Sequence, residues 1–357
     1  MFISEIKLQN FRNYKEQSIK LNKKINVFFG DNAQGKTNIL ESIFLCSIGK
    51  SFRTNKEKEI IKIGENFSKV LINYEKKDRI GKIEYELCEK KNIKVNGVKI
   101  KKLSELLGNI NIVIFTPDDI NILKGGPSGR RRFLDMMIGQ LKPAYVYNLN
   151  MYLKYLEQRN TYLKQIKLEN KPRDLLEIWN EKIIEYADKV YRYRYEYMER
   201  IKEKINEVHS SITDESEKIE IEYISDYVNK EDFKNKLHNS EKNDINRGFT
   251  TKGIHKDDFA VKINDKLINI YGSQGQNRTA ILSLKMCELQ VIYDEIGEYP
   301  ILLLDDFMSE LDEKRRKSFL RKIENIQVII TCTQEMELEK NKYSSYLVKR
   351  GEIVKCT

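Results

Sequence analysis

The stretch Gly30-Asp31-Asn32-Ala33-Gln34-Gly35-Lys36-Thr37 constrains this chain more than any other. Two glycines, a lysine and a hydroxyl residue at this spacing define a phosphate-binding P-loop, a pattern expected by chance in a chain this long only about once in a hundred cases. Its flanks agree with it. Ile25-Asn26-Val27-Phe28-Phe29 reads as a buried strand, and Asn38 to Cys46 has helical periodicity, so the context is strand, loop, helix. The glycines let successive backbone N–H groups turn inward onto phosphate oxygens, and the helix start adds partial positive charge. Lys36 is placed to reach the β- and γ-phosphates, and Thr37 to ligate Mg²⁺. The stretch therefore predicts binding of a nucleoside triphosphate through Gly30, Asp31, Asn32, Ala33, Gln34, Gly35, Lys36 and Thr37.

The 357 residues suffice for two domains, or for one with a large insertion. No apolar run approaches the roughly 20 residues that span a bilayer, and Met1 to Lys7 lacks a signal-peptide layout, which predicts a cytoplasmic protein with no membrane contact. Five scattered cysteines without C-x-x-C spacing, and three histidines, argue against a zinc site or a disulfide framework. The net charge of +10 permits a polyanionic partner, and a lysine-rich solvated surface gives the same count.

Strand-like alternation fills the first 30 residues. Between two runs lies Asn10-Phe11-Arg12-Asn13-Tyr14, where Arg12 and Asn13 are placed to meet a nucleotide beside the loop. Alternating runs at 70–74 and 82–87, with a type I′ hairpin signal at Asn96-Gly97, predict an antiparallel meander over about 67–101. Asn109 to Phe115 returns to a buried strand. Pro117 and Pro127 can each open a helix, joined across Gly125-Gly126. Arg130, Arg131 and Arg132 then stand just inside a helix whose dipole opposes them, so they are candidates for a phosphate or DNA clamp, or for pairing with acidic residues.

Residues 140–210 step by threes and fours around the break at Lys171-Pro172, predicting an antiparallel helical hairpin. In Tyr191 to Tyr197 the seam claims Tyr193 and Tyr197 for packing, leaving Arg192 and Arg194 as candidates for a DNA backbone. Residues 214–246 read as peripheral. Alternation resumes at Phe249 to Asp258, a second hairpin is expected at 259–270, and Ser273-Gln274-Gly275-Gln276 opens a helix over about 277–296, a second anion-binding start. Finally Pro300 to Asp306 is a buried strand ending in two carboxylates. Asp305 is placed to hold Mg²⁺ with Thr37, and Asp306 to orient or deprotonate the attacking water, with Lys36 on the phosphates.

Together these features resemble the ABC-type ATPases, in the DNA-repair branch with SMC-like heads, and within it the RecF family. The resemblance is carried by Pro117-Asp118 through Gly125-Gly126-Pro127, Arg130-Arg131 and Phe133-Leu134-Asp135, by Asp306 with Ser309-Glu310-Leu311-Asp312, and by Asn10-Phe11-Arg12-Asn13, Ser51-Phe52-Arg53-Thr54 and Gly253 to Asp258. Gly253-Ile254-His255-Lys256-Asp257-Asp258 departs from the family's Gly-Pro-His-Arg-Asp-Asp at Ile254 and Lys256. Against transporter ABC ATPases, Asp306 replaces a glutamate, and Thr331-Cys332-Thr333 carries no switch histidine, which is consistent with slow hydrolysis.

The resemblance implies an α/β fold: an ABC-type P-loop ATPase head with a mixed sheet and an antiparallel β meander, plus an inserted, mainly helical arm. The corresponding segments are 1–125 and 247–357 for the ATPase lobe and 126–246 for the arm. It implies ATP and Mg²⁺ as cofactors, Ser273 to Gln276 as a signature capping the ATP of a second subunit, and Ser309, Glu310, Leu311 and Asp312 as the D-loop. The implied activity is an ATP-dependent homodimer closing on double-stranded DNA near gap junctions, with slow, DNA-stimulated ATP hydrolysis. Its implied partners are RecR, RecO and RecA, in recombinational repair and the replication-gap and SOS response. An ATPase subunit of an energy-coupling or transport complex is the alternative, disfavoured by the missing switch histidine and the middle insertion; a small-molecule kinase is disfavoured by the meander and the second anion-binding helix.

Overall fold

The computed structural model describes residues 1–77, 79–213, 217–307, 319, 322–336 and 343–356. The chain forms two compact units, one of residues 1–119 with 288–357, the other of residues 120–287.

The first unit begins with β1 (Phe2–Phe11), β2 (Tyr14–Lys20), β3 (Ile25–Phe29) and α1 (Lys36–Ile48). The meander follows as β4 (Ser68–Lys76), β5 (Arg79–Leu87), β6 (Lys91–Val95) and β7 (Val98–Lys99), and then β8 (Ile112–Phe115). Six of these strands form an antiparallel sheet in the order β2-β1-β4-β5-β6-β7. Its last turn is the expected Asn96-Gly97 pair, both residues at positive φ, as a type I′ hairpin requires. The chain returns to this unit after residue 287, adding β12 (Ile301–Asp305), β13 (Val328–Cys332), β14 (Tyr343–Lys349) and β15 (Glu352–Lys355). These complete a second sheet in the order β15-β14-β3-β13-β12-β8, parallel except for β15. Its central strands are continuous apolar runs because parallel strands are covered on both faces. Leu302 to Leu304 and Val328 to Ile330 are fully buried. Helix α1 touches β4 and β5 of one sheet and β12 and β13 of the other, and is buried nearly all round. That is why its residues show so weak an apolar stripe. Gln327 ties the sheets together: its side chain accepts from Ile3 N at 2.7 Å and donates to Ile3 O and Asn22 O, each at 2.8 Å.

The second unit holds α2 (Ile120–Lys124), α3 (Pro127–Leu141), α4 (Pro143–Glu169), α5 (Leu176–Thr213), β9 (Ile219–Ile224) and α6 (Lys230–Arg247). It continues with β10 (Asp258–Ile263), β11 (Lys266–Leu267), α7 (Ile268–Tyr271) and α8 (Gln274–Ile296), the unit boundary falling within α8. Pro127 and Pro143 each occupy the first turn of their helix, where the missing N–H costs nothing. The expected hairpin is α4 and α5, and Tyr162, Leu163, Ile166, Leu176 and Ile245 form a core near its turn. Tyr197 is buried on the seam and Tyr193 meets the Tyr145 ring edge-on, as the periodicity predicts.

Four expectations differ. Of the segment expected to be peripheral, residues 217–246 are integral: β9 pairs with β10 along its whole length, and Phe233 and Leu237 of α6 are buried. Residues 249–257 form a short 3₁₀ turn at Ile254–Lys256 instead of a strand, because their polar groups bond to side chains of α4, α5 and β9 in place of a backbone ladder. The hairpin after 259 stops at Leu267, where α7 begins. Since β9 and β10 are partners, the expected boundary at 247 lies inside the second unit, together with Ser273 to Gln276.

Candidate nucleotide site

The P-loop joins β3 to α1. Gly30 and Gly35 have φ of 145° and 116°, and Ala33 sits at 64°. A side chain at Gly30 would overlap the carbonyl of Val348, and one at Gly35 would lie 2.5 Å from the amide of Asn13, so only glycine lets the backbone follow this path. Neighbours hold the loop from outside. Asn13 donates from Nδ2 to Gln34 O at 2.7 Å and accepts from Asn38 Nδ2 at 2.8 Å, and Tyr14 donates to Gly35 O at 2.9 Å. On the far side Arg350 N donates to Gln34 Oε1 at 2.6 Å. Lys36 folds back over its own loop, Nζ donating to Gly30 O at 2.6 Å and Asp31 O at 2.9 Å, so an incoming phosphate must compete for it with two carbonyls.

Strand β12 delivers Asp305 to the first turn of α1. Thr37 Oγ1 donates to Asp305 Oδ1 at 2.8 Å, and Thr331 Oγ1 from the end of β13 donates to the same oxygen at 2.7 Å. Burial is the main cause of the raised pKa of Asp305; the Thr331 and Thr37 hydroxyls oppose it, Asp306 adds to it, and Arg53 lowers it. A buried carboxylate and a threonine hydroxyl 2.8 Å apart form the hard-oxygen set that Mg²⁺ accepts, with water and phosphate completing its shell. Asp306, at φ 49°, donates its N–H to Thr331 O at 3.2 Å and Oγ1 at 3.1 Å. Thr331 thus orients both carboxylate residues.

Sequence reasoning missed Thr331, and also Glu41. Glu41 is fully buried in α1 and accepts both Arg12 Nε at 2.9 Å and Arg12 Nη2 at 2.6 Å. It also accepts from Ser51 Oγ at 2.5 Å, and Arg53 donates to Asn38 Oδ1 at 2.6 Å. The signal was a glutamate inside an apolar helical run flanked by two arginine-bearing segments. Arg12 therefore braces the helix behind the loop, while Asn13 holds the loop itself.

In the second unit, Ser273 and Gln276 cap α8 reciprocally, and Ser273, Gln274 and Gly275 are exposed. The arginines expected on DNA divide, and Arg194 and Arg130 are corrected. Arg194 is 2% exposed and donates to Asp135, Asp257 and Ile254 O. Arg130 pairs with Asp258 through two nitrogens and caps Gly125 O at 2.9 Å. Arg131 donates to Asp257 O at 2.8 Å. The charges of Arg194 and Arg130 are spent within the unit on buried Asp257 and half-buried Asp258, which need cationic partners, whereas half-buried Arg131 is held there through a backbone carbonyl. Arg132 and Arg192 are exposed, the latter paired with Asp188 on its own helix. Ile254 is buried, and His255 faces Tyr152 OH at 2.7 Å; burial pulls its pKa down to about 4. Ser309 to Asp312 lie outside the described residues. No described helix is long and apolar enough to cross a membrane.

Comparison with known proteins agrees with this fold. Residues 5–222 match the model of an AAA domain family. The DNA replication and repair protein RecF of Acetivibrio thermocellus is 43% identical over 99% of this chain and 98% of its own, and that of Clostridium acetobutylicum 41% over 99% of each. A solved structure of the recombination mediator protein RecF-ATP in the RecFOR pathway superposes with a TM-score of 0.94 at 40% identity, covering 100% of this chain and 98% of the other. A SMC head bound to the C-winged helix domain of ScpA gives 0.60 at 15% identity over 100% and 98%, a likeness of fold alone. With an ABC-type ATPase fold, an intact P-loop and relatives matched along their whole length, the chain belongs to the RecF family of DNA replication and repair proteins.

Proposed function

We propose that this ATPase is an ATP-switched clamp on double-stranded DNA. The observation that carries the reading is the division of the nucleotide chemistry: Lys36, Thr37, Asp305 and Asp306 belong to one compact unit, and the exposed, self-capped start of α8 belongs to the other. Lys36 leaves its two carbonyls for the β/γ-phosphates of ATP, and Thr37 with Asp305 holds Mg²⁺, which supplies charge neutralisation on those phosphates. Thr331 holds the Asp305 carboxylate and the Asp306 backbone in place, with Asp306 positioning the attacking water. Ser273 to Gln276 of a second copy closes over the γ-phosphate, so that ATP joins two subunits around DNA near a single-strand gap.

Hydrolysis reopens the clamp and is slow, because Asp306 reaches less far than a glutamate. Partnership with RecO and RecR follows the pathway in which a solved relative is placed, and assistance to RecA loading in gap repair and the SOS response follows the family resemblance. Exposed Arg132 and Arg192, with half-buried Arg131, remain the DNA contacts among the arginines proposed.

Sedimentation with and without ATP and gapped duplex tests the clamp. The expected result is a monomer that becomes a dimer only with ATP, and turnover that rises with DNA. A mass indifferent to ATP and DNA overturns it. Ser273→Arg should block the dimer and leave ATP binding intact, and Asp306→Asn should prolong the ATP dimer.

A further inference from the structure

The start of α8 is held by side-chain bonds that reach beyond the two capping residues to Glu217. Gln276 N donates to Ser273 Oγ at 3.1 Å, and Ser273 N donates to Gln276 Oε1 at 2.9 Å. The second bond exists only if the Gln276 amide sits one way round. Its Nε2 donates to Glu217 Oε1 at 2.8 Å, and a carboxylate can only accept. Glu217 therefore dictates the orientation that turns Oε1 towards Ser273 N.

The other carboxylate oxygen of Glu217 lies 3.5 Å from Nε2 of His209, fully buried on α5, without a hydrogen bond between them. His209 Nδ1 is 2.9 Å from Ser283 Oγ on α8 itself. Ser283 gives its own proton to Thr279 O at 2.9 Å, so it accepts from His209 Nδ1–H. Glu217 thus lies between the first turn of α8, which it reaches through Gln276, and a buried histidine anchored on the same helix about two turns further along. A helix cap alone needs none of this: Ser273 and Gln276 satisfy each other's backbone.

We propose that Glu217 is a positioning residue of the ATP-capping signature. By fixing the Gln276 amide it commits the Ser273 Oγ lone pair inward to Gln276 N–H. The hydroxyl proton and the N–H groups of Gln274 and Gly275 are thereby left to face the γ-phosphate held by a second copy. This rests on the reading of Ser273 to Gln276 as the wall supplied in trans.

The test uses the full-length protein with Mg-ATP, reading ATP-dependent dimerisation by sedimentation, ATP affinity of the monomer by fluorescent-analogue titration, and thermal midpoint. Glu217→Ala should weaken the ATP dimer about tenfold, the worth of one charge-assisted hydrogen bond, with monomer affinity unchanged. Glu217→Lys should weaken it further, because an ammonium donor turns the Gln276 amide round and sets Nε2 against Ser273 N–H. Adding Gln276→Glu to Glu217→Lys restores an acceptor to both groups and should recover dimerisation above either single change. A helix cap without this role shows similar losses for Ala and Lys, in thermal midpoint only, and no recovery. Wild-type dimerisation by both single Glu217 variants, or no recovery in the double variant, overturns the proposal while Ser273→Arg remains blocked. If Ser273→Arg dimerises normally, the trans reading itself fails.

Discussion

The two compact units use cations in opposite ways. Around the P-loop they hold the polypeptide at a place meant to receive something else: Lys36 rests on two loop carbonyls, Arg12 braces α1 through Glu41, and Arg53 reaches Asn38. In the second unit Arg130, Arg159 and Arg194 are interior. Arg159 is fully buried, joining Asn180, Asp244 and Thr250 at 2.8 Å each. The helix starts differ in the same sense. Helix α1 follows a left-handed Gly35 and has no side-chain cap, whereas α8 caps itself through Ser273 and Gln276. Orphan amides at a helix start need partners, so α1 is built for a ligand to supply them and α8 supplies part of its own. A cation is a ligand group only where its own protein has not neutralised it.

That contrast predicts a crossed outcome. Arg194→Leu should cost the second unit about 3–5 kcal/mol, since it leaves the Asp135 and Asp257 carboxylates without their shared partner. Urea denaturation followed by circular dichroism measures it, and a loss below about 1 kcal/mol would remove the buried arginine from the architecture. Lys36→Ala should do the reverse: turnover falls roughly 100- to 1000-fold with the denaturation midpoint nearly unmoved. Phosphate release under saturating ATP is the measurement, and retained turnover would break the assignment of chemistry to α1.

A third change examines why the P-loop is strained. Gly35→Ala puts a methyl group against the Asn13 amide at a φ of 116°, which should cost about 1–3 kcal/mol and weaken ATP affinity in parallel. Combining it with Asn13→Ala should recover part of the loss, the steric part, and leave the backbone part. Full recovery would mean that contact alone, and not conformation, demands the glycine.

Legibility in the sequence followed the range of the interactions. The loop, the strands at 25–29 and 301–305, the Asn96-Gly97 turn and the helical hairpin were all readable because their signals are local in the chain. What could not be read was pairing across it. Nothing near Arg194 marks Asp257 as its partner, and nothing near Glu41 marks Arg12 and Arg53 together. The segment 214–246 looked peripheral because its charges dominate its composition, yet Asp244 accepts Arg159, and β9 supplies Ser225 and Tyr223 near or along its end to Asp257. A capped helix start was legible at Ser273. The Glu217 that orients it was not, since a lone glutamate in a charged stretch carries no pattern.

The smallest expected effect concerns Arg192, the neighbour in sequence of the buried Arg194. Its side chain is 73% exposed and pairs with Asp188 one helical turn away, an arrangement worth a few tenths of a kcal/mol at most. Arg192→Ala should therefore leave folding within about 0.5 kcal/mol of the parent. If Arg192 meets a DNA backbone, the same change should weaken duplex binding evenly across sequences and flatten the salt dependence by about one unit of slope, because one fewer counterion is released. A titration of fluorescent duplex at several salt concentrations separates the cases. An unchanged slope would place Arg192 with its solvated helix face and shift the search to Arg132. Two arginines separated by one tyrosine would then differ in everything but charge, one holding the unit together and the other lying along a solvated helix face beside Asp188.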